Sequence, residues 1–169
     1  QNAVDAGATD ICFTMEAGSE LVVEHDGRPF DLVDVHALTN FATSSKLPKS
    51  DSIGYKGIGF KSVFAVTSSV QISSPPFNLS YSKKMSGHYT YIHLDSCEFK
   101  AAAAASKTTT VTLKIDSAQA VLAIREQIES MLSSNALLIL NSLGKPITKM
   151  SWKEGNKVRS KSVPKMPDW

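Results

Sequence analysis

The chain has 169 residues, 42% of them hydrophobic and 20% charged, with a formal net charge of +2. That is enough chain to bury a sizeable core in one domain. No apolar run approaches the roughly 20 residues of a membrane-spanning helix and no secretory leader is visible, so an intracellular protein without membrane contact is expected.

In chain order, QNAVDAG reads as the remnant of a short helix closed by Gly7, and an apolar strand follows over 10–16. A second strand covers 20–25 and runs into HDGRP, whose Asp-Gly pair is a strong turn signal. A short helix is expected over 32–38. The polar, proline-containing SSKLPKSDS leads into IGYKGIGFKSVF at 53–64, with a helix over 57–66. Strands are expected near 69–73, 78–82, 89–95 and 108–115, from their Val, Ile, Thr and Tyr content. AAAAASK at 101–107 has the look of a variable insertion and receives no function. Residues 117–133 form an amphipathic helix, with Asp116 as N-cap and Val121, Leu122, Ile124, Ile128, Met131 and Leu132 at helical spacing. ALLILNSL occupies 136–143. From Lys145 onward six lysines and an arginine face two acids, an excess of +5, and SVPKMPDW reads as an exit from the fold. The division expected is therefore 1–150 as the folded domain and 151–169 as a basic extension or linker. Cys12 and Cys97 fit reduced thiols, and His25, His36, His88 and His93 show no zinc-type pairing.

The glycine run is the most informative segment. Glycine admits a ligand close to the backbone, and a helix start behind it offers free N–H groups and a positive dipole end, which suits phosphate. The plain alternative is a glycine-rich turn capping a core helix. A P-loop is excluded because Phe60 intrudes before Lys61-Ser62, and a GxGxxG fingerprint because Ser62 stands at its third glycine.

Taken as ordered blocks, QNAVDAGATDICFTM, VVEHDGRPF, LTNFATSSK, the glycine run and TTTVTLKI resemble the ATP-binding domain of the GHKL (Bergerat-fold) superfamily. That group includes gyrase B, heat-shock-90-type chaperones, histidine kinases and MutL proteins. The blocks look most like the sacsin and NO VEIN branch, over roughly residues 1–143. The resemblance implies an α+β fold: a two-layer α/β sandwich whose mixed, mostly antiparallel sheet carries helices on one face. It implies ATP and Mg²⁺ as ligands, with Asn2 on the metal and Asp5 on the same helix face beside it. A neutral carbonyl oxygen suits Mg²⁺, which takes its other ligands from phosphates and water. The family's general base, a Glu four residues before that Asn, falls outside this chain, so no catalytic residue is assigned within it. The chain is expected to be incomplete at its N-terminus and joined to other domains.

With Gly27 on the first glycine of the family's Asp-x-Gly-x-Gly turn, His25 takes the acid position, Asp26 the middle one, and Pro29 replaces the second glycine. Asp26 is the residue assigned to adenine, with His25 as the alternative and an ordinary turn as the plain reading. Gly54, Lys56, Gly57, Ile58, Gly59 and Phe60 are expected along the phosphates, and Ser44, Ser45 and Lys46 at the start of a lid. Thr109 is the strand-start threonine expected near adenine, with Thr108 and Thr110 one register away.

The function implied is a MgATP-binding module whose lid closes over the phosphates inside a larger ATP-driven or chaperone-like protein, with dimerisation on nucleotide. The alternative is a truncated or degenerate ATPase fold acting as a scaffold for protein interaction without turnover. A nucleic-acid partner for the basic tail is the least favoured reading.

Overall fold

The structure, a computed structural model, describes residues 2–39, 59–99 and 107–163. Eight strands form one sheet: β1 (Asp10–Glu16), β2 (Glu20–His25), β3 (Thr67–Ser74), β4 (Phe77–Ser86), β5 (Tyr89–Phe99), β6 (Thr109–Ile115), β7 (Lys149–Glu154) and β8 (Lys157–Ser162). Their spatial order is β5-β4-β3-β6-β2-β1-β7-β8. Every neighbouring pair is antiparallel except β1 and β7. Among the described residues four helices accompany the sheet: α1 (Asn2–Asp5), α2 (Leu32–Thr39), α3 (Ala118–Ser133) and α4 (Ala136–Ser142), with a 3₁₀ turn at Phe60–Ala65. This is an α+β two-layer sandwich with helices on one side of a mixed sheet, as the sequence led us to expect.

Side chains alternate across a strand, so the register sorts residues into rows on the covered face. One row runs Tyr81, Val70, Leu113, Leu21, Met15. The next runs Leu79, Ile72, Val111, Val23, Phe13, Trp152. Met15, Leu21, Val70, Ile72, Leu79, Tyr81, Leu113 and Trp152 are all buried there, and Val121 and Ile128 of α3 close over them. Each such side chain contributes roughly 1.5–3 kcal/mol by leaving water. The opposite face carries Thr14, Glu24, Thr110, Thr112, Gln71 and Ser80, which need no cover.

Local chemistry explains the helix ends. Gly7 sits at φ 73° beyond α1, where the Ala8 N–H reaches Ala3 O at 3.0 Å and the Gly7 N–H reaches Val4 O at 3.0 Å. That left-handed stop is cheap only for glycine. Asp31 and Asp34 cap α2 reciprocally: Asp34 N donates to Asp31 Oδ1 at 2.9 Å and Asp31 N donates to Asp34 Oδ2 at 3.1 Å.

Three expectations are corrected. The N-cap of α3 is Ser117, whose Oγ accepts the Ala120 N–H at 3.1 Å; Asp116 instead accepts from Ser68 Oγ at 2.9 Å. The helix expected over 57–66 is, where described, a six-residue 3₁₀ turn that ends when Val66 N bonds Val63 O at 3.0 Å. The boundary expected at 150 falls inside β7, and residues to Ser162 belong to the sheet. Trp152, within the segment expected as an extension or linker, is 3% exposed because β7 lies parallel to β1 and turns it into the core. Charged side chains reinforce that docking: Arg125 pairs with Glu154, Glu129 with Arg159 at 3.4 Å, and Lys161 donates to Ser134 O. Such partly exposed pairs are worth about 0–1 kcal/mol each. The burial of Met150 and Trp152 therefore dominates. Among the described residues no helix is long and apolar enough to cross a membrane.

Trp152→Ala is expected to cost about 3–5 kcal/mol, read as a lowered midpoint in urea denaturation. A loss below about 1 kcal/mol would show that the C-terminal hairpin is peripheral to the core.

Candidate functional site

The third row of the covered face breaks the apolar pattern. It runs Phe77, Ser74, Thr109, His25, Ile11, Met150. Three neighbouring strands thus place Ser74, Thr109 and His25 side by side at one end of the core, with exposures of 0%, 0% and 7%. Buried polar groups demand partners, and these have them. Phe30 N donates to Ser74 Oγ at 2.8 Å, Ser74 Oγ and Thr109 Oγ1 share a hydrogen bond at 2.6 Å, and Gly27 N donates to His25 Nδ1 at 3.2 Å. Burial pushes the His25 pKa below its ordinary value, against an opposing pull from the Asp26 carboxylate.

Of the three candidate threonines, Thr109 is the one on this face. Thr110 pairs with Glu24 one register away, on the open side. Ser74 was not anticipated. Its signal was the end of the TSSVQISS alternation, in which Val70, Ile72 and Ser74 share a face.

Asp26 has other work. Its Oδ1 accepts the N–H of Thr9 at 2.8 Å and of Asp10 at 2.9 Å, and its Oδ2 takes the Thr9 hydroxyl at 2.5 Å. Although desolvation opposes the charge, these hydrogen bonds hold the carboxyl below the usual carboxylate range. The assignment of Asp26 to adenine therefore meets a carboxylate already committed to the start of β1. His25, the alternative, is the residue in the polar row.

Gly27 is buried and has no room for a side chain. A Cβ there would lie 2.9 Å from Ala6 O, 3.0 Å from Ala6 Cβ and 3.1 Å from Ala8 N. Arg28 N also donates to Ala6 O at 2.8 Å. The turn after β2 is thereby pressed onto the end of α1, which carries exposed Asn2 and half-buried Asp5. Gly27 thus touches protein where a side chain would otherwise stand.

Gly59 heads the 3₁₀ turn at φ −57°, ψ −46°, a conformation open to any residue. Its carbonyl accepts the Ser62 hydroxyl at 2.7 Å. Phe60 turns its ring inward, edge-on to Tyr81 at 5.2 Å and to Phe64 at 5.9 Å. Lys61 is half-buried, and burial lowers its pKa. Ser44, Ser45, Lys46, Gly54, Lys56, Gly57 and Ile58 lie outside the described residues. A separate open cavity of about 410 Å³ lies at the far end of the sheet, lined by Ser19, Asp116, Ser117, Val121 and Arg125 among others. It shares no residue with the polar row.

No known family's sequence profile matches the chain, and no curated protein does. Solved structures do. The N-terminal domain of a DNA repair protein is 15% identical with a TM-score of 0.52, over 94% of this chain and 48% of that one. The ATPase region of Saccharomyces cerevisiae topoisomerase II is 12% identical with a TM-score of 0.57, over 93% of this chain and 46% of that one. The chain thus spans about half the length of each (48% and 46%). At these identities the likeness is one of fold alone.

Two stability outcomes follow. Gly27→Ala is expected to cost about 1–3 kcal/mol, because the contacts are to backbone and cannot yield. Asp26→Ala is expected to cost about 1–2 kcal/mol at neutral pH, discounted for the group's exposure. The folded pKa of Asp26 is depressed from 3.8, so its contribution is complete above that value and is lost as pH falls through the lower folded one. Denaturation of both proteins from pH 7 downward should show the difference closing at acid pH. A constant difference would rule out the ionised carboxylate as its source.

Proposed function

We propose that this chain is the MgATP-binding domain of a larger ATP-driven conformational or chaperone-like protein, of the sacsin and NO VEIN type, working inside the cell. The observation that carries the reading is the polar row Ser74–Thr109–His25, set into an otherwise apolar sheet face at the end where α1 and the Asp26–Gly27 turn converge. A flat apolar floor with a few fixed polar groups is what a nucleobase needs. The likeness in fold to the topoisomerase II ATPase region is consistent with it.

In this reading His25 and Thr109 meet the base, with Ser74 holding the Thr109 hydroxyl in place. Asn2 would hold Mg²⁺ and Asp5 a water of its shell; a bound Mg²⁺ supplies charge neutralisation at the phosphates. Gly59 and the Phe60 N–H meet the phosphates together with Gly54, Lys56, Gly57 and Ile58, and Ser45 and Lys46 belong to a lid that closes over them. Asp26 and Gly27 act on the site at one remove, by fixing where His25 stands. Nothing in this scheme requires covalent chemistry in the chain. Nucleotide-dependent dimerisation belongs to the same reading, as does the absence of a nucleic-acid partner.

One observation favours the scaffold alternative. Ser74 and Thr109 satisfy each other and are closed to solvent, so the row is stable without a ligand. Calorimetry and thermal shift with ADP or ATP and Mg²⁺ separate the two, since a scaffold gives neither heat nor a raised Tm. Gly59→Val provides the specific test. Its backbone conformation suits valine, so the fold should persist, while nucleotide affinity falls by roughly tenfold or more through lost access to the amides. Unchanged affinity would remove Gly59 from the site.

A further inference from the structure

The sheet ends in two edges of opposite character, β8 and β5. Along β8 stand Lys157, Arg159 and Lys161, and cations on an edge keep other strands from adding to it. β5 lacks that protection over residues 89–94 (YTYIHL), where no Lys, Arg, Asp or Glu occurs. Tyr89 is 80% exposed and Tyr91 44%. This run pairs one-to-one with residues 81–86 of β4, and the register then shifts, leaving Asp95 as an extra residue. β3 pairs with β4 only over residues 77–82. Among the described residues, 83–86 and 89–92 therefore extend past β3 as a two-stranded ribbon, which gains stability from a third strand.

The two faces of this edge differ. Ile92 and Leu94 turn to the covered face and pack against the core. His93 lies on the open face, its Nδ1 3.1 Å from Asp95 Oδ1, and Lys84 Nζ reaches the same carboxylate at 2.8 Å. Tyr89, Tyr91, His93 and Asp95 thus form one open-face row.

We propose that a second copy of this chain adds to β5 as an antiparallel strand, with the two-fold axis at Ile92. Paired residues in an antiparallel ladder share a face. With the axis there, Tyr91 meets the other copy's His93, Tyr89 meets its Asp95, Thr90 meets its Leu94, and Ile92 meets itself. On the open side ring faces ring and phenol faces carboxylate; the other side is apolar apart from Thr90. An axis at His93 would oppose two imidazoles, and one at Tyr91 would leave Leu94 and Asp95 beyond the contact. The segment is complementary to itself, as the isologous contact of a two-fold dimer requires. One strand pair is a small interface, so the dimer is weak and concentration-dependent. It uses no residue assigned to nucleotide and forms without one.

The test is sedimentation equilibrium of the 169-residue chain without nucleotide, over rising concentration. A reversible monomer–dimer equilibrium is expected. Tyr91→Lys, which sets a cation against the other copy's His93, should weaken it on the order of tenfold or more. Adding His93→Glu, which places opposite charges across the axis, should restore it. Val158→Lys on the β8 edge, where the residue is 65% exposed, should leave it unchanged. Monomer alone at every concentration would overturn the proposal even if Tyr91→Lys fails to fold. So would growth beyond dimers, or a folded Tyr91→Lys variant that still dimerises as the unaltered chain does. Calorimetry with nucleotide is a separate measurement, and a negative result there would leave this contact standing.

Discussion

The Asp26 carboxylate is the constraint on which the candidate site depends. Its three hydrogen bonds, to Thr9 N, Thr9 Oγ1 and Asp10 N, tie the turn after β2 to the start of β1. Bonds from backbone amides to an ionised acceptor are among the stronger ones available, about 1.5–3 kcal/mol each in favourable settings. Gly27 completes the stitch by letting that turn approach α1 to van der Waals contact. With both ends held, the backbone of Gly27 stands where its N–H meets the His25 ring. One charged side chain and one missing Cβ thus settle the tautomer of a residue that neither touches through its own side chain.

The apolar rows act as the ruler for the polar one. Strand pairing puts His25 two residues beyond Val23, Thr109 two before Val111 and Ser74 two after Ile72. A slip of one residue in any of these strands would send its apolar set to the open face. Burial of the hydrophobic rows therefore also fixes the polar row, to within the tolerance of side-chain packing. Hydrogen bonding then needs only to satisfy groups already delivered, which Ser74, Thr109 and Phe30 N do among themselves.

Much of this was legible in the sequence. Parity in TTTVTLKI picks Thr109 over its neighbours once Val111 and Leu113 are taken as inward, and the apolar spacing of α3 and the Gly7 stop of α1 read correctly from local rules. The β7–β8 hairpin did not. Lysines and an arginine dominate KMSWKEGNKVRSKS, and its burial depends on a parallel partner some 140 positions away. Only Met150 and Trp152, two apart and followed by a Gly-Asn turn, hinted at a strand. Asp26 was ambiguous for a different reason: an acid in a turn looks the same whether it awaits a ligand or grips its own backbone. The bonds that occupy Asp26 come from Thr9 and Asp10, which nothing in the turn's own residues announces.

The parallel seam between β1 and β7 also governs how the molecule comes together. Ile11 must meet Met150, and Phe13 must meet Trp152, so an early strand waits for a very late one. Sequence-distant pairing of this sort slows folding, since the loop must close before any contact rewards it. During synthesis at about 5–20 residues per second, one flank of β1 stays bare for several seconds after it leaves the ribosome.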